Sequence, residues 1–219
     1  MNRYFLLISF LSAGASFCRA QIPVSQEPRH HKVFENAWVR VLDVHIPPGD
    51  TSLMHKHATP SVFMVLSNTK TGSEVIIEPE KANFANGTIW FEGFYDKPRI
   101  HRVWNSDTTE FHVIDMELPN KNPQPIDPPL EMNSFTLLFD EKPVRGYRFT
   151  LPAHGAIRVP QRKAPVIVVG LSKASGKVTA NQHISFVKKG DFAFIPAGSE
   201  MEFSNKGMAD YDFAFFELK

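Results

Sequence analysis

The stretch TTEFHVIDMEL, Thr108 to Leu118, returns as MADYDFAFFEL, Met208 to Leu218, at the very end of the chain. The match holds position for position. Upstream of each copy lies a second matched pair: FENAWVRVLDVHIPPG (Phe34–Gly49) and FDEKPVRGYRFTLPAHG (Phe139–Gly155). Phe34, Val39, Arg40 and Pro47 recur as Phe139, Val144, Arg145 and Pro152, with His154 as one inserted residue. The chain of 219 residues therefore carries one unit twice. Between the units runs PNKNPQPIDPPLEMN, Pro119 to Asn133, whose prolines exclude helix and central strand and predict an extended linker or crossover.

Each unit is built from short runs with period-two alternation: VRVLDVHI, SVFMVLS, SEVIIEP, TIWFEG, HRVWN and FHVIDMEL. Val, Ile, Phe and Trp dominate them, and Gly, Pro, Asn and Asp separate them. This grammar predicts strands and turns, and no helical stripe longer than two turns competes with it. Asn86–Gly87 reads as the hairpin turn feeding TIWF; Asn86-Gly87-Thr88 is also formally an N-glycosylation acceptor. The expected architecture is all-β, a small sandwich or barrel for residues 21–118 and another for 134–219, joined by the linker 119–133.

The first twenty residues read differently. Asn2 and Arg3 make a short positive start, YFLLISFL an apolar run, and SAGASFCRA a region of mostly small residues ending at Ala20. That is the pattern of a secretory signal, residues 1–20, with cleavage after Ala20. The apolar run is too short for the ~20 residues of a membrane span, and Phe17 is a poor residue before a lipidated Cys18. The expected location is secreted or periplasmic, with no membrane contact after cleavage. Cleavage removes Arg3, Arg19 and the single cysteine, so the formal charge moves from +1 to just below zero. The mature chain then has neither disulfide nor thiol nucleophile. So even a balance predicts no nucleic-acid groove and no polybasic membrane patch.

Chemistry enters with GDTSLMHKHATPS, Gly49 to Ser61. Residues i and i+2 of a strand share a face, about 6.5–7 Å apart, so His55 and His57 can converge on one cation. Each imidazole nitrogen would lie ~2.0–2.2 Å from it. A third donor must come from another strand, and His101 in KPRIHRVWNSD is placed to supply it.

These residues resemble the cupin family. Its first motif runs Gly, five residues, His-x-His, three or four residues, Glu; Gly49, His55 and His57 fit its beginning. Its second runs Gly, five residues, Pro-x-Gly, two residues, His, three residues, Asn. His101 and Asn105 fit the end of that motif, and GDFAFIPAGSEMEFSN (Gly190–Asn205) fits the whole of it except that Met201 stands at the histidine. The resemblance covers nearly all of the chain beyond residue 20 as two tandem cupin domains, each a double-stranded β-helix or jelly-roll barrel. It implies a divalent metal ion (Fe, Mn, Zn, Ni or Cu) held by His55, His57 and His101, and it allows a homodimer formed through edge strands.

The departures are specific. Ser61 or Val62 stands where the family has its glutamate, and the first copy carries about three extra residues within WFEGFYDKPRIH relative to the second motif. That inserted turn is expected to overhang the site, with Glu92 or Asp96 as candidates to replace the carboxylate. In the second copy the positions of His55 and His57 are expected at Gln161 and Lys163, or at Pro160 and Arg162. With Met201 they leave no metal site, because a basic residue beside a dication repels it.

The other candidates have plainer readings. His45 is expected to face solvent or the other unit, His112 a surface, and His30 and His31 solvent. Asn105 is expected to cap a turn. Trp90, Phe91, Phe94, Tyr95 and Trp104 are expected in the core, some of them walling a small-molecule pocket. Lys188-Lys189-Gly190 reads as a solvated turn. No acid–base pair or nucleophile is identifiable from spacing, so the catalytic residues are unknown. Two functions remain: a small-molecule metalloenzyme resembling cupin dioxygenases or isomerases, or an exported protein that binds a sugar, phenolic or anion without turning it over.

Overall fold

The computed structural model describes residues 21–75 and 79–219. The expected signal segment 1–20 and the middle of SEVIIEP, 76–78, lie outside the described residues. The first copy opens with β1 (Ile22–Pro23), β2 (His30–Glu35), β3 (Arg40–Ile46), β4 (His55–His57) and β5 (Ser61–Val65). It continues with β6 (Thr69–Val75), β7 (Pro79–Phe84), β8 (Ile89–Glu92), β9 (Arg99–Asn105) and β10 (Phe111–Glu117). The second copy has β11 (Phe135–Asp140), β12 (Val144–Leu151), β13 (Ala156–Val159), β14 (Val166–Gly170) and β15 (Gly176–Ala180). It ends with β16 (His183–Val187), β17 (Phe192–Ile195), β18 (Met201–Ser204) and β19 (Tyr211–Leu218).

Two sheets close each copy into a jelly-roll barrel. They run β1-β4-β9-β6-β7 and β2-β3-β10-β5-β8 in the first, and β13-β18-β15-β16 and β11-β12-β19-β14-β17 in the second. Both edge strands β2 and β11 carry a bulge, between Lys32 and Phe34 and between Leu137 and Phe139. Equivalent hairpin turns place Gly87 and Gly190 at φ +84° and +88°, a backbone that only glycine adopts without strain.

The strand pattern follows from what each face meets. On β10, Val113 points into its own barrel, while Ile114 and Met116 point out. On β19, Phe213 and Phe215 point in, while Ala214 and Phe216 point out. The outward residues of the two large sheets form one shared core, in which Val41, Val62 and Met64 pack with Val144, Ile167 and Val169. Both faces of these strands are buried, which is why they read as almost continuous apolar runs. Each such side chain, fully removed from water, contributes about 1.5–3 kcal/mol.

The two barrel interiors differ. Phe149, Phe203, Phe213 and Phe215 fill the second. The matching positions of the first hold Val44, Val103, Val113 and Asp115. Smaller side chains leave room there for polar groups.

Pro119 to Asn133 contains no strand or helix, as its prolines require. Arg145 Nη1 donates to the Asp127 carbonyl (2.8 Å), Arg162 Nη2 to the Pro128 carbonyl (2.5 Å), and the Leu130 amide to Tyr147 Oη (3.0 Å). Buried Glu217 holds both arginines from inside, at 2.5 Å from Arg162 Nε and 3.2 Å from Arg145 Nη1. Asn105 caps its turn as expected, donating to the carbonyls of Ile46 and Thr109 and accepting from the Asp107 amide.

Candidate metal centre

The strand β4 is three residues long, with His55 and His57 inward and Lys56 outward. It pairs antiparallel with β9 so that His55 lies opposite His101. The three imidazoles therefore come together on adjacent strands, and all three are buried. His57 Nε2 lies 3.1 Å from His55 Nε2 and 3.1 Å from His101 Nε2. On His55 the Nδ1–H donates to the Leu53 carbonyl (2.8 Å), which leaves Nε2 with its lone pair. With bonds of about 2.1 Å, a 3.1 Å separation subtends about 95° at a shared cation, close to an octahedral edge.

Electrostatics favours a metal over protons. Burial, followed by the neighbouring positive groups, lowers His55 to about 4 and His101 to about 2. His57 falls well below its usual value for the same reasons. At neutral pH these are three uncharged, buried ligands.

A fourth histidine joins them. His30 starts β2 opposite Val44, and its ring stands 4.7 Å from the His55 ring, edge-on, and 6.3 Å from His57. His30, His55 and His57 offer ligand atoms all within 4.8 Å of one another. The expectation that His30 is solvated is corrected: it is 7% exposed. Strand alternation turns it inward, at the position where the second copy holds Phe135. His31, the next residue, is exposed. Glu27 Oε2 sits 2.6 Å from His30 Nδ1. Burial pushes the Glu27 carboxyl up, but the His30 contact and the amides of Leu53 and Arg29 outweigh it and bring it to about 2. An anionic Glu27 thus orients His30.

Glu92 and Asp96 are placed differently from the expected carboxylate ligand. Glu92 Oε1 accepts from Trp90 Nε1 and Arg99 Nη1, both at 3.0 Å, and Asp96 is exposed. The inserted turn does overhang: the Phe94 ring stacks on His57 (5.6 Å, 24°), with Phe94 at φ +51°. Phe63 meets His57 edge-on at 5.5 Å, and Trp90 stacks on Phe63 at 5.1 Å. Tyr95 is exposed instead of buried.

Sequence reasoning passed over Asp115. It lies inside the barrel on β10, 1% exposed, with Oδ2 3.5 Å from His57 Nδ1. Among the described residues no partner stands in hydrogen-bonding geometry to that nitrogen or to either Asp115 oxygen, though the nearby Ser61 hydroxyl favours the charged carboxylate. Burial, then the charge of Glu117, pushes the Asp115 carboxyl well above its usual range. A cation on His57 Nε2 would make Nδ1–H a stronger donor and draw this carboxylate onto it. The orphaned pair fits a cation-binding histidine.

No sequence-family model matches the chain, and no curated protein does. Solved structures match it as folds. AerE from Microcystis aeruginosa superposes at a TM-score of 0.59 and 11% identity, over 88% of this chain and 98% of that one. Salicylate 1,2-dioxygenase from Pseudoaminobacter salicylatoxidans, with gentisate, gives 0.59 at 10%, over 85% and 70%. A cupin 2 conserved barrel domain protein from Leptotrichia buccalis gives 0.55 at 10%, over 86% and 87%. The chain has the cupin fold, in two tandem barrels.

In the second cupin barrel the register corrects the expected equivalences. Val159 lies opposite Met201 as His55 lies opposite His101, so Val159 and Gln161 take the places of His55 and His57. The loop after Gly155 is shorter than the loop after Gly49, which shifts the count. Arg162 turns to Glu217, Lys163 is exposed, and Met201 packs among Phe149, Phe203 and Phe213. An open groove of about 490 Å³, lined by Gln161, Met201 and Glu202, lies there instead. Among the described residues, both clusters able to hold a metal belong to the first barrel.

Proposed function

We propose that this is an exported bicupin in which His55, His57 and His101 hold a divalent cation, with His30 in place of the missing carboxylate. His57 Nε2, 3.1 Å from the Nε2 atoms of both His55 and His101, carries this reading. We infer further that it is a small-molecule metalloenzyme of the dioxygenase or isomerase type. Bound there, the ion supplies Lewis acidity and open coordination positions.

The protein's own groups do the rest. The Leu53 carbonyl and Glu27 fix which nitrogens of His55 and His30 face the centre. Neutral ligands leave the cation's charge undiminished, while Arg99, opposite His57 on β9, is held in its ion pair with Glu92. Such a site favours an anionic bidentate molecule such as a catecholate, enolate or hydroxybenzoate. Phe63, Phe94 and Trp90 exclude water and present flat apolar surface to an aromatic ring. Salicylate and gentisate, named with one structural neighbour, have this chemistry.

The test is metal content of the purified protein and oxygen uptake with salicylate and gentisate, before and after His57→Ala. Loss of one tightly held ion together with turnover supports the enzyme. Ligand binding without turnover selects the non-catalytic binding protein, and unchanged metal content in the variant refutes the site.

A further inference from the structure

The outer face of the first barrel carries a second convergence of donors. β3 and β10 pair antiparallel with His45 opposite His112 and Asp43 opposite Ile114. Alternation turns Asp43 and His45 outward, while Leu42, Val44 and Ile46 point in. The imidazoles of His45 and His112 stack at 4.2 Å with 20° between planes. His112 Nε2 is 2.7 Å from Asp43 Oδ1, and His45 Nε2 is 3.1 Å from Asp43 Oδ2. Each ring thus takes its own oxygen of one carboxylate. The ligand atoms of all three residues lie within 4.8 Å of one another.

We propose that Asp43, His45 and His112 form a second cation site, taking Zn²⁺ or a similar borderline divalent ion. Two imidazoles and one carboxylate are a donor set suited to such ions, with water completing the shell. The side chains are 20–33% exposed, so water reaches them. Glu110 Oε1 lies 2.8 Å from His45 Nδ1 and holds a proton there, so an ion at Nε2 would displace only the proton shared with Asp43.

The second copy provides an internal comparison. Its matching positions hold Arg148, Thr150 and Asp212. Arg148 Nη2 pairs with Asp212 Oδ2 at 2.7 Å, and Thr150 Oγ1 donates to Asp212 Oδ1 at 2.6 Å. An ordinary ion pair therefore satisfies this place on the sheet. In the first copy the acid, Asp43, stands at the arginine's position, and imidazoles stand at the positions of Thr150 and Asp212. The turn at Gly190 of the second copy closes on the cluster: a Cβ there would stand 3.2 Å from His112 Cε1. Lys189 Nζ donates to the Leu66 carbonyl beside it (2.8 Å), so this turn is docked instead of solvated.

Calorimetric titration of the metal-free full chain with Zn²⁺ tests the proposal. The double variant His57→Ala/His101→Ala removes the interior site and is expected to keep one Zn²⁺ equivalent. Adding His45→Gln/His112→Gln is expected to weaken that equivalent at least tenfold. If the interior variant does not fold, His45→Gln/His112→Gln in the otherwise native chain loses one equivalent and keeps the interior one. The proposal is overturned if the outer variants bind Zn²⁺ as the parent does, or if the interior variant folds and binds none. Unchanged binding in the interior variant alone would instead count against the four-histidine reading.

Discussion

Acid is expected to unfold the metal-free protein through its buried imidazoles, and His55 gives the size of the effect. In the unfolded chain it takes up a proton near 6.5; in the fold, burial and the charges of His30 and Arg99 hold it at about 4. Between these values the unfolded state binds more protons, so stability falls as the pH falls. The gap is worth about 3 kcal/mol by pH 4. His57 and His101 change in the same direction and extend the loss to lower pH. Asp115 opposes them, because its raised pKa makes the fold bind a proton that the unfolded chain has released. The clean quantity is therefore a difference. Urea unfolding of metal-free protein and of His55→Gln, each at pH 7 and pH 4, is expected to show the parent losing about 3 kcal/mol more than the variant. Equal losses would refute the assignment of a buried, neutral His55.

Asp115→Asn removes the carboxylate facing His57 Nδ1 and is expected to weaken metal binding about 10- to 100-fold in chelator competition; unchanged affinity would restrict Asp115 to packing. Glu217→Gln takes the close carboxylate from buried Arg162 while Arg145 keeps Asp140, and a loss of about 3 kcal/mol is expected in urea unfolding. Met201→His is expected to add no metal equivalent by elemental analysis, since Val159 and Gln161 supply no partner imidazoles.

The fold was legible because a repeat is visible at the residue level. The match of Thr108–Leu118 to Met208–Leu218 fixes two copies of one β unit, and strand periodicity does the rest. His55 and His57 were legible because a spacing of two in a strand forces one face. His30 was not, since a bulged edge strand disguises its alternation; yet extending the repeat upstream aligns it with Phe135, a core position. Asp115 carried the same signal, aligned with Phe215. A polar residue at a place where the twin barrel packs an aromatic marks the site better than motif spacing does. The positions replacing His55 and His57 in the second copy are not legible in a gapless motif, because loop length is fixed by pairing register.

Crystals of the full chain grown with Zn²⁺ and measured at its absorption edge test the central claim most directly. An anomalous peak is predicted within about 2.2 Å of the Nε2 atoms of His55, His57 and His101. Anomalous maps without a peak inside the first barrel, from crystals in which those rings stand as described, would contradict it.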